Sequence, residues 1–151
     1  MQFVKPENIH ATAVLIGERG VLIGGASGSG KTTLALALID HCRQRGMFSR
    51  LVSDDQLFVA AHAGRLVCRA PATIAGLAEV PRLGPRPLTF EPACVVDLHL
   101  RLLPADEIAR FQVDASTNIA GCAVPRIDVA ERNVAAALPA VMARLSISPF
   151  L

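Results

Sequence analysis

Gly24-Gly25-Ala26-Ser27-Gly28-Ser29-Gly30-Lys31-Thr32-Thr33 gathers four glycines, a lysine and hydroxyl side chains into ten residues. Within it Gly25, Gly30, Lys31 and Thr32 keep the spacing G-x-x-x-x-G-K-[ST], which marks a phosphate-binding loop. The spacing has a physical reason. Glycines allow successive backbone N–H groups to turn inward around an anion, a conformation few other residues tolerate. Lys31 would reach the β- and γ-phosphates of a nucleotide, and the Thr32 hydroxyl would ligate Mg²⁺. The amino end of a following helix would add its partial positive charge. Ala26, Ser27, Gly28, Ser29 and Thr33 complete the expected nucleotide cradle.

A phosphate loop binds without saying what is done with the phosphate. Transfer needs an acid for the metal and a group that accepts the nucleophile's proton. Two places supply carboxylates. Asp97 follows the apolar run Ala93-Cys94-Val95-Val96, the form of a metal-binding acid at a strand end. Asp54 and Asp55 form an adjacent pair after Leu51-Val52-Ser53. Two neighbouring carboxylates beside an anionic ligand repel each other, which suits one of them to proton transfer. Taken alone, Ser53-Asp54-Asp55-Gln56 is also an ordinary polar turn, and Asp97 an ordinary buried or capping acid.

These residues need elements to carry them. His10–Ile16 and Val21–Gly24 are expected as antiparallel strands joined by the turn residues Gly17-Glu18-Arg19-Gly20. The second strand feeds the loop. A helix from about Lys31 to Arg45 follows, with Leu34, Leu38 and Cys42 on one stripe and Gly46 as its stop. Arg50–Ser53 is a short strand, so that residues 31–55 have the length of a helix-plus-strand crossover returning Asp54 and Asp55 beside the loop. Residues 57–61 and 65–69 read as a hairpin across His62-Ala63-Gly64, and residues 70–77 as a helical turn. The run Pro81-Arg82-Leu83-Gly84-Pro85-Arg86-Pro87 excludes a central strand or helix and is expected to be a mobile loop. Further on, residues 93–98 form a buried strand, Pro104–Glu107 starts a short helix, and residues 109–113 and 119–124 form weaker strands. Asp128 caps a final helix over residues 129–145, kinked near Pro139. Hairpins together with a crossover give an α/β fold with a mixed sheet.

Bulk properties narrow the class. The chain has 151 residues, enough for a single domain over residues 1–151 with a real core. It is 52% hydrophobic and 19% charged, which excludes a disordered chain. The net charge of +2 comes from scattered basic residues, so no nucleic-acid footprint is expected. No apolar run reaches the length of a membrane span and no secretory leader is visible, which points to a cytoplasmic protein. Cys42, Cys68, Cys94 and Cys122 are widely spaced, as expected of buried free thiols.

The ordered set of motifs resembles the catalytic domain of HPr kinase/phosphorylase. It consists of His10 at a strand start, the loop Gly25–Thr32, the Leu-Ala-Leu helix, Leu51-Val52-Ser53-Asp54-Asp55, then Ala70-Pro71-Ala72-Thr73-Ile74-Ala75-Gly76 and Glu79-Val80. The resemblance covers residues 10–84 well and the remainder loosely, where Arg132-Asn133 is similar to a G-R-N-like family loop. It implies a P-loop kinase fold. It also implies an ATP- and Mg²⁺-dependent enzyme that phosphorylates a serine of HPr, the small phosphocarrier of the phosphotransferase system. Many such enzymes also remove that phosphate by phosphorolysis. Carried over by position, Asp54 is the proton acceptor, Thr32 and Glu79 ligate Mg²⁺, and Asp55 supports the metal. Lys31, His10 and Arg101 join the catalytic set, although His10 alone is a plain strand-edge histidine and Arg101 alone a surface arginine. The resemblance is to short forms made of the kinase domain only, and it implies a homo-oligomer. The chain departs from the family pattern E-[IV]-R-G-[LIV]-G at Glu79-Val80-Pro81-Arg82-Leu83-Gly84, with Pro81 in place of arginine and Arg82 in place of glycine. Two other functions fit the loop: a small-molecule kinase or general NTPase using Asp97 for its metal, and a nucleotide-sensing module without turnover.

Overall fold

The structure is a computed structural model and describes residues 5–151. Residues 1–4 of the expected entry segment lie outside the described residues. Glu7–Ile9 of that segment form a short strand, β1, paired antiparallel with residues 57–59. Thr12–Ile16 (β2) and Arg19–Gly24 (β3) make the expected antiparallel hairpin. His10 belongs to neither strand; it sits exposed in the short link from β1 to β2 rather than beginning a strand.

Helix α1 covers Lys31–Gln44 and buries Leu34, Ala35, Leu38, Ile39 and Cys42. It leads into β4, Ser49–Ser53, which pairs antiparallel with β2. Because β2 also runs antiparallel to β3, β4 points the same way as β3. The carboxyl ends of both strands, and with them the loop and Asp54, therefore meet at one edge of the sheet. β5 (Leu57–His62) and β6 (Arg65–Arg69) are the expected second hairpin.

Three segments differ from the sequence expectation. Residues 77–87, expected as a loop, form their own two-stranded antiparallel sheet: β7 is Leu77–Val80 and β8 is Gly84–Pro87. Proline is tolerated there because β8 has a partner on one side only, so its missing N–H breaks no second ladder. The buried strand at residue 93 runs on to Leu103 as β9. Its early residues pair with β6, its middle with β3 in parallel, and its last residues with residues 126–130 in parallel. Residues 109–113 form no strand, and 119–124 is not one strand but a turn: Ala115–Ile119 (β10) and Cys122–Ala130 (β11) pair on either side of it. Asp128 lies within β11 and caps nothing. The last helix, α2, starts later, at Val134–Arg144, capped by the Asn133 side chain accepting from the Ala136 N–H at 3.1 Å. Pro139 lies inside it. A single 3-10 turn, Ala105–Glu107, follows β9 where a short helix was expected.

The result is the mixed sheet the sequence implied, in the order β4-β2-β3-β9 continuing to β11, with β6, β5 and β1 extending from the start of β9. Both helices lie on one face, over Val14, Ile23, Leu51, Leu98 and Leu100. On the other face Ala13, Leu22, Leu57, Leu66 and Val96 form a second core. Val96 and Leu98 fall in different cores despite sharing a parity. The register explains this: Gly20 pairs with Val96 and Val21 with Leu98, so Asp97 is an extra, bulged residue that switches the faces. Among the described residues no helix is long and apolar enough to cross a membrane.

Candidate active site

The carboxyl ends of β3, β4, β9 and β11 converge on one edge, the place where open α/β sheets hold ligands. A cleft of about 600 Å³ opens there. Its floor is the loop between β3 and α1. Residues Ser27 to Thr33 line it, while Asp55, Glu79 and Pro81 stand on one side and Asn133, Val134 and Ala137 on the other.

Local chain geometry makes the loop. Gly30 takes a left-handed φ of 94° immediately before α1, a conformation that costs a side-chain-bearing residue more than glycine. A Cβ on Gly25 would lie 2.6 Å from Ser29 Oγ and 2.9 Å from Leu102 Cβ, so only glycine lets the loop turn this closely over β9. Helix α1 begins without a side-chain cap. Its first N–H groups, which have no partner within a helix, face the cleft as anion donors. Ser29 Oγ is buried there without a hydrogen-bond partner, a polar group placed to meet a ligand.

Lys31 is buried, and its Nζ donates to the carbonyls of Gly25 and Ala26 at 3.2 and 3.3 Å. Its nearest carboxylate oxygen is Asp55 Oδ1, at 3.8 Å. The ammonium group thus rests on the loop backbone at the mouth of the cradle.

The two adjacent aspartates have different surroundings. Asp54 is 5% exposed and does not line the cleft. It accepts from Thr12 Oγ1 at 2.8 Å, from Thr32 Oγ1 at 2.8 and 3.0 Å, and from the Glu79 N–H at 2.7 Å. Its lone pairs are spent joining β2, α1 and β7. Asp55 takes a left-handed φ of 64°, and its side chain, 64% exposed, turns into the cleft. Its backbone N–H donates to Thr12 Oγ1 at 3.1 Å, which holds that turn in place. Glu79 is carried to the same side of the cleft by the β7–β8 hairpin.

Other expected residues lie elsewhere. His10 does not line the cleft. Arg101 does not either: it faces a neighbouring cavity behind the loop, and its Nε and Nη2 donate to Asp128 at 2.8 and 3.0 Å. That pairing raises its pKa. Asp97 is far from a strand end. Its carboxylate accepts from the Gly20 N–H at 3.0 Å and pairs with Arg65 at 3.0 Å, so it pins the bulge in β9. The small-molecule-kinase alternative rested on Asp97 as a metal acid, and this position removes that support.

Two contributors carry little or no chemical signal in the sequence. Thr12 is one residue of an apolar strand, yet it bonds both aspartates. Arg132, which lines the cleft, clasps the loop: its N–H donates to the Ser29 carbonyl at 3.0 Å and its Nε to the Gly28 carbonyl at 2.9 Å. Resemblance of Arg132-Asn133 to a family loop was the only hint of it.

Among the described residues no three His, Cys, Asp or Glu side chains gather into a metal cage. Beside the hydroxyls of Ser27, Ser29 and Thr33 and the Asn133 amide, the side chains lining the cleft that suit a hard cation are the Thr32 hydroxyl and the Asp55 and Glu79 carboxylates. Such a hard, sparse set fits Mg²⁺, which keeps several waters and takes further ligands from substrate phosphates.

Comparison with known proteins agrees with this architecture. The family model of the HPr serine kinase C-terminal domain matches residues 1–85, a stretch that includes the loop, both aspartates and Glu79. HPr kinase/phosphorylase of Mycoplasmopsis pulmonis (strain UAB CTIP) is 37% identical over 82 residues, 54% of this chain and 25% of that protein. The enzyme of the same name from Clostridium beijerinckii is 40% identical over 76 residues, 50% of this chain and 23% of that protein. The matched part thus spans about a quarter of each curated relative. The solved HPr(Ser) kinase/phosphatase from Coxiella burnetii superposes with a TM-score of 0.74 at 25% identity, over 90% of this chain and 91% of that one.

Proposed function

The chain belongs to the HPr serine kinase C-terminal domain family, and we propose that it transfers the γ-phosphoryl group of ATP to a serine of an HPr-like phosphocarrier. The observation that carries this is the meeting of Lys31, Thr32, Asp55 and Glu79 in one cleft. A serine hydroxyl is a poor nucleophile and needs a carboxylate to accept its proton as the new bond forms.

Asp55, rather than Asp54, is the acceptor of that proton. Asp55 is free to meet an incoming hydroxyl, whereas every approach to Asp54 is filled by Thr12, Thr32 and the Glu79 N–H. Asp54 instead orients the Thr32 hydroxyl and anchors the strand bearing Glu79. Thr32 and Glu79 would hold Mg²⁺, which when bound neutralises charge on the transferred phosphoryl group. Lys31 would leave the Gly25 and Ala26 carbonyls for the β- and γ-phosphates. In the transfer the serine Oγ–P bond forms, the bond to the leaving diphosphate breaks, and the hydroxyl proton goes to Asp55. In phosphorolysis an oxygen of inorganic phosphate bonds to the phosphoserine phosphorus, the phosphorus–Oγ bond breaks, pyrophosphate leaves, and Asp55 passes the proton of the attacking phosphate to the serine oxygen.

The cleft has two ends. Asp55 and Glu79 mark the acceptor end, so the nucleoside of the donor extends past Thr33 toward Val134 and Ala137. His10 and Arg101 have no part in this assignment.

The test is incubation with ATP, Mg²⁺ and the HPr-like carrier of the same cell, followed by mass spectrometry of the carrier. A single phosphoserine that vanishes on adding inorganic phosphate is the expected result. Absence of phosphoserine at every nucleotide and metal concentration tried would sink the proposal.

A further inference from the structure

Cys68 and Cys94 are separated by 25 residues in the chain yet stand directly opposite one another, on β6 and β9. Their sulfurs are 3.5 Å apart, with one thiol donating to the other. Directly opposed residues of an antiparallel ladder hold their Cα atoms about 4.5–5.5 Å apart. That lies inside the range of about 4.4–6.8 Å which a disulfide spans. The backbone therefore needs no rearrangement for the two sulfurs to bond. Cys42 and Cys122 stand in the cores on opposite faces of the sheet and have no such neighbour.

We propose that Cys68 and Cys94 are a reversible oxidation site: a peroxide converts them to a disulfide that closes the base of the segment carrying Glu79 to the cleft.

The position gives the bond its effect. The chain leaves the sheet at Arg69 and returns at Ala93, and everything between is the excursion that holds the β7–β8 hairpin. Beyond the Cys68–Cys94 pair its base is held by the Arg69–Ala93 ladder position and by Ala70 N–H to the Pro92 carbonyl at 3.2 Å, and on the way back Glu91 N–H reaches the Leu51 carbonyl of β4 at 2.9 Å. Among the described residues the hairpin pairs with no strand of the main sheet. Its Glu79 N–H holds the Asp54 carboxylate at 2.7 Å. A covalent link between Cys68 and Cys94 removes the freedom of both ends of this excursion at once.

The chemistry balances with a peroxide as the sole co-reactant. Cys68 is fully buried and Cys94 only partly, so the oxidant arrives on the Cys94 side. Cys94 takes one peroxide oxygen to become a sulfenic acid, and the other oxygen leaves as water. The Cys68 sulfur then attacks the Cys94 sulfur, the S–S bond forms, and the hydroxyl departs with the Cys68 proton as a second water. The donated hydrogen bond from Cys94 lowers the pKa of Cys68 against the opposing effect of burial, which suits Cys68 to be the attacking sulfur of the second step. The same bond together with burial raises that of Cys94, so the first step is the slow one and needs peroxide in excess.

The experiment needs no assignment of the reaction catalysed, so its failure leaves the kinase proposal standing. The full chain is treated with a small excess of hydrogen peroxide, then alkylated without reductant and digested. Expected are loss of two of the four thiols, a peptide carrying Cys68 joined to one carrying Cys94, and reversal by dithiothreitol. The oxidised protein should melt several degrees higher, on the order of 5 °C. Protease cleavage within residues 70–92 should slow. Cys94→Ser should abolish both shifts. Sulfenic or sulfinic acid on Cys94 without a bond to Cys68, or a bond to Cys42 or Cys122, would overturn the proposal. A Cys68–Cys94 bond that leaves both melting and cleavage unchanged would overturn its bracing role.

Discussion

The two aspartates differ by one place in the chain and by almost everything else. Asp54 follows the last residue of β4 with its side chain directed into the junction of three elements, and Asp55 takes a left-handed turn that sends its side chain to the cleft. A pair of identical residues at a strand end does not declare which one faces the ligand, because that depends on the φ of the second and on the partners of the first. The expectation that Asp54 takes the serine proton and Asp55 serves the metal followed the motif alone. Substitutions separate the two roles. Asp55→Asn should lower transfer by about 10²–10⁴-fold while nucleotide affinity stays within a few fold, since it removes only the proton acceptor. Asp54→Asn replaces one accepting oxygen with an N–H₂ donor facing other donors. It should lower stability by about 1–3 kcal/mol and weaken metal binding, measured by denaturant melts and by Mg²⁺ titration. If Asp54→Asn left the protein as stable as before while Asp55→Asn kept full turnover, the roles would revert.

Elements set by local pattern were legible from sequence. The glycine loop, the strand before it, α1 with its apolar stripe, β4 and the β5–β6 hairpin all have their signals within a few residues, and the structure has each of them close to the expected bounds. Elements set by distant partners were not. Gly84–Pro87 lacks strand character and is a strand only because Leu77–Val80 lies against it. Asp97 closes an apolar run in the sequence, but β9 continues six residues further because β11 is there to pair with it. The same distance in sequence hid the thiol pair and the link from Thr12 to Asp54. On the nucleoside placement proposed above, the element that would decide donor choice is the amino end of α2. Its cleft-facing residues are Asn133, Val134 and Ala137, with no aromatic ring among them, so the base of a nucleotide meets aliphatic surface and one amide. Base selectivity should therefore be small, with ATP and GTP within about tenfold of each other. Val134→Trp should weaken both at least tenfold and leave inorganic triphosphate unaffected, read by calorimetric titration. Equal losses for nucleotide and inorganic triphosphate would place the nucleoside elsewhere.

At the scale of the molecule, β9 joins the wing formed by β1, β5 and β6 to the helix-backed sheet, and what happens along it is felt on both sides. His99 sits on β9 behind the loop, with its Nδ1 3.0 Å from Thr117 Oγ1. Burial pulls its pKa down from 6.5 to about 4, and the nearby Arg126 and Arg101 guanidinium groups push the same way, against the Asp128 carboxylate. A histidine lowered in this way is neutral in the fold and protonated in the unfolded chain once the pH is under 6.5. The unfolded state then binds the extra proton, so stability falls as the pH falls from 6.5 toward 4 and the loss levels off below that. The carboxylates that titrate in the lower part of this window act on any variant alike, so the comparison must be differential. His99→Gln keeps a hydrogen-bonding side chain without the titration. Thermal melts from pH 7.5 to 4 should show the wild-type midpoint dropping more steeply than that of the variant below pH 6.5, with the two curves parallel above pH 7. Parallel curves across the whole range would mean that His99 takes up its proton in the fold as readily as in the unfolded chain. Water reaching the ring would then have undone the effect of burial, with the arginines held too tightly by Asp128 to act on it.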